Sequence, residues 1–171
     1  MQYAEYYVQF FTATILKWKH LLKQDQYKDI IIESLRYLVK EQRVKIYAFV
    51  IMNNHLHVMW QVQPGNKREQ VQRDFLKFTA QQIKSDLSVH HPKVLEHFYV
   101  NAADRKYQIW ERNPLSIDLF TQVVFMQKLE YIHWNPVKAG LCNLPEAYKY
   151  SSASFYLTGV DNFGFLTHLN E

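Results

Sequence analysis

The N-terminal half of the sequence alternates runs of aromatic and β-branched residues with a run of helical spacing. Residues 6–15 have the composition of a first strand. Residues 25–42 place apolar side chains at helical intervals and predict a helix. Residues 44–52 and 55–63 predict two further strands. Asn53 and Asn54 between them favour a tight turn, so these two strands should form a hairpin.

The C-terminal half predicts two more helices and one short strand. Pro64-Gly65 ends the third strand, and residues 67–85 predict a second helix. After an irregular region around His90, His91 and Pro92, residues 107–110 predict a fourth strand. Residues 119–134 predict a last helix, stopped by Asn135-Pro136.

The order of these elements is β-α-β-β-α-β-α. It predicts an α+β, ferredoxin-like fold, with an antiparallel sheet, helices on one face and an added C-terminal helix. A length of 171 residues with 48% hydrophobic residues is enough for one sizeable core. Because the 4 glycines and 5 prolines form no linker, we expect a single domain over residues 1–171.

Charge and cysteine usage narrow the function only slightly. The formal net charge of +4 favours polyanionic partners, although a merely solvated basic surface explains it equally well. Cys142 is the single cysteine, so an intrachain disulfide and a multi-cysteine zinc site are excluded. The N-terminal residues lack a signal-peptide pattern and no run is long and apolar enough for a bilayer, so we expect a cytoplasmic protein without a membrane partner.

The third predicted strand carries a His-x-His pair. Alternate side chains of a strand point to opposite faces, so the apolar set that includes Leu56 and Val58 faces the core. His55 and His57 then lie side by side on the opposite, more polar face, where two imidazoles can bind one divalent ion. A hydrogen-bonded pair of surface histidines is the alternative, and the pattern alone is weak.

The last predicted helix offers a nucleophile. Tyr131 lies about 120° from the apolar stripe of that helix, so its hydroxyl can be exposed. A tyrosine hydroxyl attacks a phosphodiester when a nearby metal ion polarises the phosphate. Asn135, one turn later, could supply an amide oxygen as a third ligand for magnesium or manganese. Its alternative is to cap the end of the helix.

Two segments together carry a resemblance to a known family. They are MNNHLHVMW at residues 52–60 and KLEYIHWNPVKAGL at residues 128–141, supported by WER at 110–112 and YSSA at 150–153. The set resembles the HUH single-tyrosine transposases, and most of all their REP-associated branch. The paired motifs at this separation are specific, whereas either alone is much less so.

The resemblance implies a role for each motif. His55 and His57 would be the metal ligands, and Tyr131 the residue that attacks DNA. Asn135 stands where insertion-sequence relatives commonly have a glutamine that ligates the metal. The family implies cleavage of single-stranded DNA, often beside a hairpin, with Mg²⁺ or Mn²⁺ and through a 5′-phosphotyrosine link. It leaves open both a homodimer, common among the insertion-sequence relatives, and a monomer.

Basic and aromatic residues near these motifs are candidate DNA contacts. Lys128 and Lys138 flank Tyr131 along the chain, and Arg112, Trp110 and Trp134 could bind phosphate or stack on bases. The lysines are also ordinary surface charges, and the tryptophans are also ordinary core residues.

Two other functions compete with a transposase. A ferredoxin-like protein with 16% aromatic residues could bind nucleic acid without cutting it, and would not need Tyr131. An unrelated zinc hydrolase could use His55, His57 and His133. The helical position of His133, on the other side of the apolar stripe from Tyr131, disfavours it as a ligand.

Overall fold

The computed structural model describes residues 7–171, and a four-stranded antiparallel sheet lies at its centre. The strands are β1 (Gln9–Thr14), β2 (Val44–Ile51), β3 (His55–Val62) and β4 (Leu115–Asp118). They lie in the order β2-β3-β1-β4, and all three pairings are antiparallel. This is the ferredoxin-like order that the sequence predicts. Residue 6, the start of the first predicted strand, lies outside the described residues.

Helices cover both faces of the sheet. The helices are α1 (Asp25–Lys40), α2 (Arg68–His90), α3 (Pro92–Glu96), α4 (Gln122–Lys138) and α5 (Ala153–Thr158), with short 3₁₀ turns at Leu16–Trp18, Leu21–Lys23 and Pro145–Ala147. The larger core forms between the sheet and α1 with α2, and a smaller core forms under α4. The added helix therefore packs on the face of the sheet opposite α1 and α2.

Aromatic rings fill the larger core. The ring of Trp60 stacks on that of Phe11, with centroids 4.9 Å apart, and meets the edge of Phe75 on α2 at 5.6 Å. The apolar stripe of α1, which includes Ile31 and Leu35, is fully buried against the same cluster. The alternation of β3 thus sends Trp60 to this face, as the sequence predicts.

The smaller core encloses the opposite face of β3. Leu129 and Ile132 of α4 pack with Phe10 and Met59. His57 lies on this face and is only 5% exposed. The expectation of a more polar face around the histidines is wrong for His57, because α4 packs on the sheet there.

The edge strand is not where the sequence predicts it. Residues 107–110 form only isolated bridges, one from Tyr107 to Tyr99 and one from Trp110 to Ile15. The fourth strand is instead β4, which pairs with β1. A four-residue strand of alternating exposed and half-buried side chains carries too little hydrophobic pattern to predict.

Asn135-Pro136 does not end the last helix. α4 continues to Lys138, and the amide of Ala139 still donates to the carbonyl of Asn135 at 3.0 Å. The helix ends at Lys138. Gly140, with a φ of +75°, then allows the left-handed turn of a Schellman motif, in which Leu141 N–H donates to Pro136 and Gly140 N–H to Val137. Pro136 has no N–H, so the helix lacks one hydrogen bond. The packing under α4 offsets this loss.

The region around His90 is also more regular than the sequence predicts. α2 extends to His90, and α3 begins at Pro92, where a proline is tolerated in a first helical turn. The two-residue turn at Asn53-Asn54 is confirmed, since Met52 N–H donates to the carbonyl of His55 at 2.8 Å. Within residues 7–171, no helix has the length and apolar character needed to cross a membrane.

The aromatic core gives a first prediction. Phe75→Ala should lower the free energy of unfolding by about 3–5 kcal/mol, because it leaves a cavity between Phe11 and Trp60. Phe78→Ala, on the exposed side of the same helix, is the matched control and should change it by about 0.5 kcal/mol or less. Urea unfolding of both variants measures the difference, and equal losses would contradict this account of the core.

Candidate functional site

The strand register positions the histidine pair. β3 pairs with β1, so that His57 lies opposite Thr12 and His55 opposite Thr14. The two imidazole rings lie on the same face, with centroids 4.9 Å apart. The structure therefore brings the pair together as the alternation of the strand predicts.

Each histidine is oriented by a hydrogen bond at Nδ1. His55 Nδ1 lies 2.7 Å from Asn54 Oδ1. Because an amide oxygen only accepts, His55 carries its proton on Nδ1, which leaves the Nε2 lone pair available in the neutral ring. His57 Nδ1 lies 2.7 Å from the hydroxyl of Thr12. The tautomer in which Nδ1–H donates to Thr12 leaves Nε2 of His57 with a lone pair as well.

The buried nitrogen of His57 lacks a partner. Among residues 7–171, its Nε2 makes no hydrogen bond although it is shielded from solvent. Buried polar atoms are nearly always paired, so an orphaned ring nitrogen requires an explanation. Metal coordination provides one, because metal-bound histidines typically hold their other nitrogen in a hydrogen bond such as the one to Thr12.

Burial keeps both rings neutral. Desolvation, with smaller contributions from His55 and Lys128, lowers the pKa of His57 to about 3. Burial also lowers the pKa of His55. Neutral imidazole is the form that binds a metal ion, so the site holds its nitrogens ready for coordination at neutral pH.

Tyr131 lies against this pair. Its ring centroid is 5.4 Å from that of His57 and 6.0 Å from that of Phe10, both in edge-to-face geometry. The side chain is 44% exposed, because the buried positions of α4 are its neighbours Leu129 and Ile132. Solvent and substrate can therefore reach a phenol that is in contact with the histidine pair.

Lys128 adds a positive charge beside the tyrosine. It lies one turn before Tyr131 on α4 and is half-buried. Its Nζ lies 4.8 Å from the ring centroid of Phe10 and 5.7 Å from that of Tyr131. Among the described residues it has no acidic partner within ion-pair distance. The charge is therefore available to an anion that approaches Tyr131.

Asn135 lies one turn after Tyr131 on the unbroken helix. The i, i+4 spacing places both side chains on the same side of α4. The side-chain amide of Asn135 is half-buried and makes no hydrogen bond within the part of the chain that the structure describes. It therefore does not cap the helix, which was the alternative role. Ligation of a metal by Asn135 stays a prediction.

The donor set fits a divalent ion bound by nitrogen and amide oxygen. In residues 7–171, no group of three or more His, Cys, Asp or Glu side chains is arranged to hold a metal. A third ligand must then come from another residue type, as an asparagine carbonyl would, or from water or substrate. The two Nε2 atoms, one of them buried and unpaired, are the observation that favours a metal at this position.

His133 belongs to a different part of the molecule. Its Nε2 is hydrogen-bonded to the Ser152 hydroxyl at 2.8 Å, and its ring lies 5.3 Å from that of Tyr156. Burial lowers the pKa of His133 to about 4. Ser152 also accepts from the amide of Phe49. His133 thus links α4 to β2, and the three-histidine zinc site loses its third ligand.

The other candidate DNA contacts divide into buried and exposed residues. Trp110 is 5% exposed and its indole N–H donates to Thr79 Oγ1 at 3.0 Å, so its burial contradicts a role in base stacking. Arg112 is exposed and pairs with Asp104 at 2.8 Å. Lys138 is exposed at the end of α4, and Trp134 is 40% exposed on the same helix.

Three side chains at this site cannot be identified from the motifs alone. Thr12 orients His57, Phe10 stacks on it with ring centroids 5.0 Å apart, and Trp18 meets the edge of His55 at 5.9 Å. The first two lie on β1, far from either motif along the chain. The observation that identifies them is the register of β1 against β3, and the predicted order of strands does not specify that register.

Fold and site together define a ferredoxin-like domain in which a His-x-His strand lies against a tyrosine-bearing helix. No protein-family model matches the sequence, and no curated protein matches it either. Solved structures do. One is a REP-associated tyrosine transposase bound to a REP hairpin, with a TM-score of 0.65 and 17% identity, over 96% of this chain and 88% of that one.

A second solved structure is a protein of Deinococcus radiodurans R1 with a provisional transposase assignment. Its TM-score is 0.49 at 14% identity, over 74% of this chain and 89% of that one, which is too low to support an argument. The match to the REP-associated transposase confirms the predicted likeness at the level of the fold. Function rests on the residues of the site.

The Ser152 contacts give a second prediction. Ser152→Ala should lower the free energy of unfolding by about 1–3 kcal/mol, because it removes partners from His133 and from the buried amide of Phe49. Ser154→Ala is the matched control, since the hydroxyl of Ser154 makes no hydrogen bond among residues 7–171. Thermal unfolding compares the two, and an unchanged Ser152→Ala variant would sink the structural role of His133.

Proposed function

We propose that the protein is a metal-dependent enzyme that cleaves and rejoins single-stranded DNA, in the manner of single-tyrosine transposases. The observation that supports this most directly is the contact of Tyr131 with His57, at 5.4 Å between ring centroids. It joins an exposed nucleophile to a histidine whose buried nitrogen is unpaired. A binding protein would need neither the exposed phenol nor the orphaned nitrogen.

In this proposal, Nε2 of His55 and Nε2 of His57 would hold Mg²⁺ or Mn²⁺, and the amide oxygen of Asn135 would be the third ligand. When bound, the ion polarises a phosphate oxygen and so makes the phosphorus more electrophilic. Thr12 and Asn54 keep both rings in the tautomer that exposes Nε2. The enzyme needs no nucleotide cofactor.

Tyr131 carries the chemical step. Its hydroxyl oxygen attacks the phosphorus and loses its proton to solvent, and the bond from phosphorus to the 3′-oxygen breaks. The 3′-oxygen takes up a proton, which leaves a 5′-phosphotyrosine and a free 3′-hydroxyl. Attack by this hydroxyl, or by one from another strand, reverses the step and releases Tyr131. The number of phosphate ester bonds is unchanged, so no energy source is needed.

Lys128 positions the phosphate. Its ammonium lies beside the ring of Tyr131 without an acidic partner among the described residues, so a phosphate oxygen there gains a charge-assisted hydrogen bond. Lys138 and Arg112 are proposed as contacts to the DNA backbone further from the reaction. Trp110 is left out of this set because it is buried.

The substrate class follows by analogy. The similar transposase is bound to a REP hairpin, and we infer single-stranded DNA beside a hairpin as the substrate here. The net charge of +4 is compatible with such a polyanion. Measurement of its mass in solution distinguishes a monomer from a homodimer.

The nucleophile is tested by Tyr131→Phe. Wild type, incubated with labelled hairpin-bearing single-stranded DNA and Mn²⁺, should form a covalent protein-DNA adduct that survives denaturing electrophoresis. The variant should form none, because it lacks the attacking oxygen, yet should bind the same DNA. Tyr156→Phe is a control, since the hydroxyl of Tyr156 donates to the carbonyl of Tyr47 away from the site. Its adduct should persist.

A chelator should abolish the adduct of the wild type. If wild type binds the DNA but forms no adduct with any hairpin substrate, the protein is a non-catalytic nucleic-acid-binding module. If Tyr131→Phe keeps cleavage, the nucleophile is a different residue or water.

The tautomer of His57 gives a separate prediction. Thr12→Val should weaken Mn²⁺ binding by about 10- to 100-fold, because it removes the hydroxyl that orients the ring. Thr14→Val is the matched control on the same strand and face, where the hydroxyl makes no hydrogen bond within residues 7–171. Calorimetric titration with Mn²⁺ measures both. Equal affinities for the two variants would argue against coordination by His57.

A further inference from the structure

The connection between β1 and α1 is strained beside the histidine pair. Lys17 and Trp18 have φ values of +53° and +57°, in the left-handed region that side chains rarely adopt. Two such residues in succession persist only where the surrounding structure holds them, and such strain is concentrated at functional sites. The segment therefore calls for a functional reason.

Hydrogen bonds from three parts of the chain hold this segment in place. The loop 109–111 contributes two contacts: Leu16 N–H donates to the carbonyl of Ile109 at 2.8 Å, and Lys17 N–H donates to the Glu111 carboxylate at 2.6 Å. Two further contacts are made by Lys19 Nζ to the carbonyl of His97 at 2.6 Å and by Asn54 Nδ2 to the carbonyl of Trp18 at 3.4 Å.

These contacts hold the indole of Trp18 in a solvent-exposed position. Trp18 is 60% exposed, whereas Trp60 and Trp110 are buried and Trp134 is 40% exposed. Its ring meets the edge of His55 at 5.9 Å between centroids. A single exposed aromatic residue is ordinary on a protein surface. One that is fixed by a strained backbone and touches a proposed metal ligand is not.

Asn54 joins this indole to the site. The amide oxygen of Asn54 accepts from His55, and the amide nitrogen donates to the backbone of Trp18. One side chain thus contacts both the histidine ring and the backbone of the tryptophan. Lys17, exposed next to Trp18, adds a cation whose side chain has no acidic partner among the described residues.

We propose that Trp18 is a stacking platform for a nucleobase of the strand whose phosphate is attacked by Tyr131. This rests on the proposed function. An exposed aromatic ring beside a cation is the arrangement that binds single strands, because each base has an aromatic face and each linkage a charge. His55 and His57 lie between Trp18 and Tyr131, so the stacked base belongs to a nucleotide that flanks the attacked phosphate.

Binding without cleavage tests this platform. The parent is Tyr131→Phe in the presence of a chelator, so that neither the metal nor the reaction affects the result. The probe is a fluorescent DNA hairpin with a single-stranded arm of thymidines, in which each thymidine in turn is replaced by an abasic site. Fluorescence anisotropy gives the affinity of each probe.

One abasic position should weaken binding to the parent by roughly 5- to 150-fold, the range for loss of a single base stack. Adding Trp18→Ala should weaken binding of the intact arm by a similar factor and should remove the effect of that abasic site. Adding Trp18→Phe, which keeps a ring, should retain much of both effects. Adding Tyr37→Ala, an exposed aromatic residue on α1 with no assigned role in binding, should leave the whole abasic profile unchanged.

Two results would overturn the stacking platform. One is that Trp18→Ala and each abasic site weaken DNA binding by independent, additive amounts. The other is that Trp18→Ala leaves the affinity for DNA unchanged. Neither result would affect covalent adduct formation, which tests the proposed function separately. Absence of DNA binding by the parent would overturn the stacking platform, whereas the proposed function is overturned only if wild type with Mn²⁺ forms no adduct. Thermal unfolding of Trp18→Ala should match that of the parent, because the indole is exposed.

Discussion

The packing of α4 on the second face of the sheet is the contact on which the site depends. Leu129 and Ile132 bury against Phe10 and Met59, and this fixes the rotation of the helix about its axis. Tyr131 is then directed to the rim of that interface, against His57. The same contact removes His57 from water and so depresses its pKa. Nucleophile placement and ligand protonation both follow from one layer of apolar packing.

Much of this arrangement follows from local pattern. Alternation along β3 places the two histidines together and Trp60 in the core, and helical spacing leaves Tyr131 outside the buried stripe. These predictions succeed because they depend only on the geometry of a single element. The likeness to a solved REP-associated transposase confirms the predicted fold class.

The parts that local pattern misses are those decided by tertiary contacts. Pro136 is a local stop signal, but the helix continues to Lys138, and Gly140 then allows the Schellman turn. β4 is defined by its pairing with β1 rather than by its own four residues. Trp110 is buried, and its indole N–H donates to Thr79 on α2. Thr12 becomes relevant to His57 only through the strand register.

The hairpin turn also shows that hydrogen bonding can restrict the residue type at a position more than the backbone conformation does. A two-residue turn accepts glycine, aspartate or asparagine on backbone grounds. Asn54, however, uses its oxygen for His55 and its nitrogen for the backbone of Trp18, so both ends of its amide are engaged. Aspartate would keep the acceptor and lose the donor, and glycine would lose both. The identity of this turn residue is therefore set by its two hydrogen-bonding partners and not by the turn.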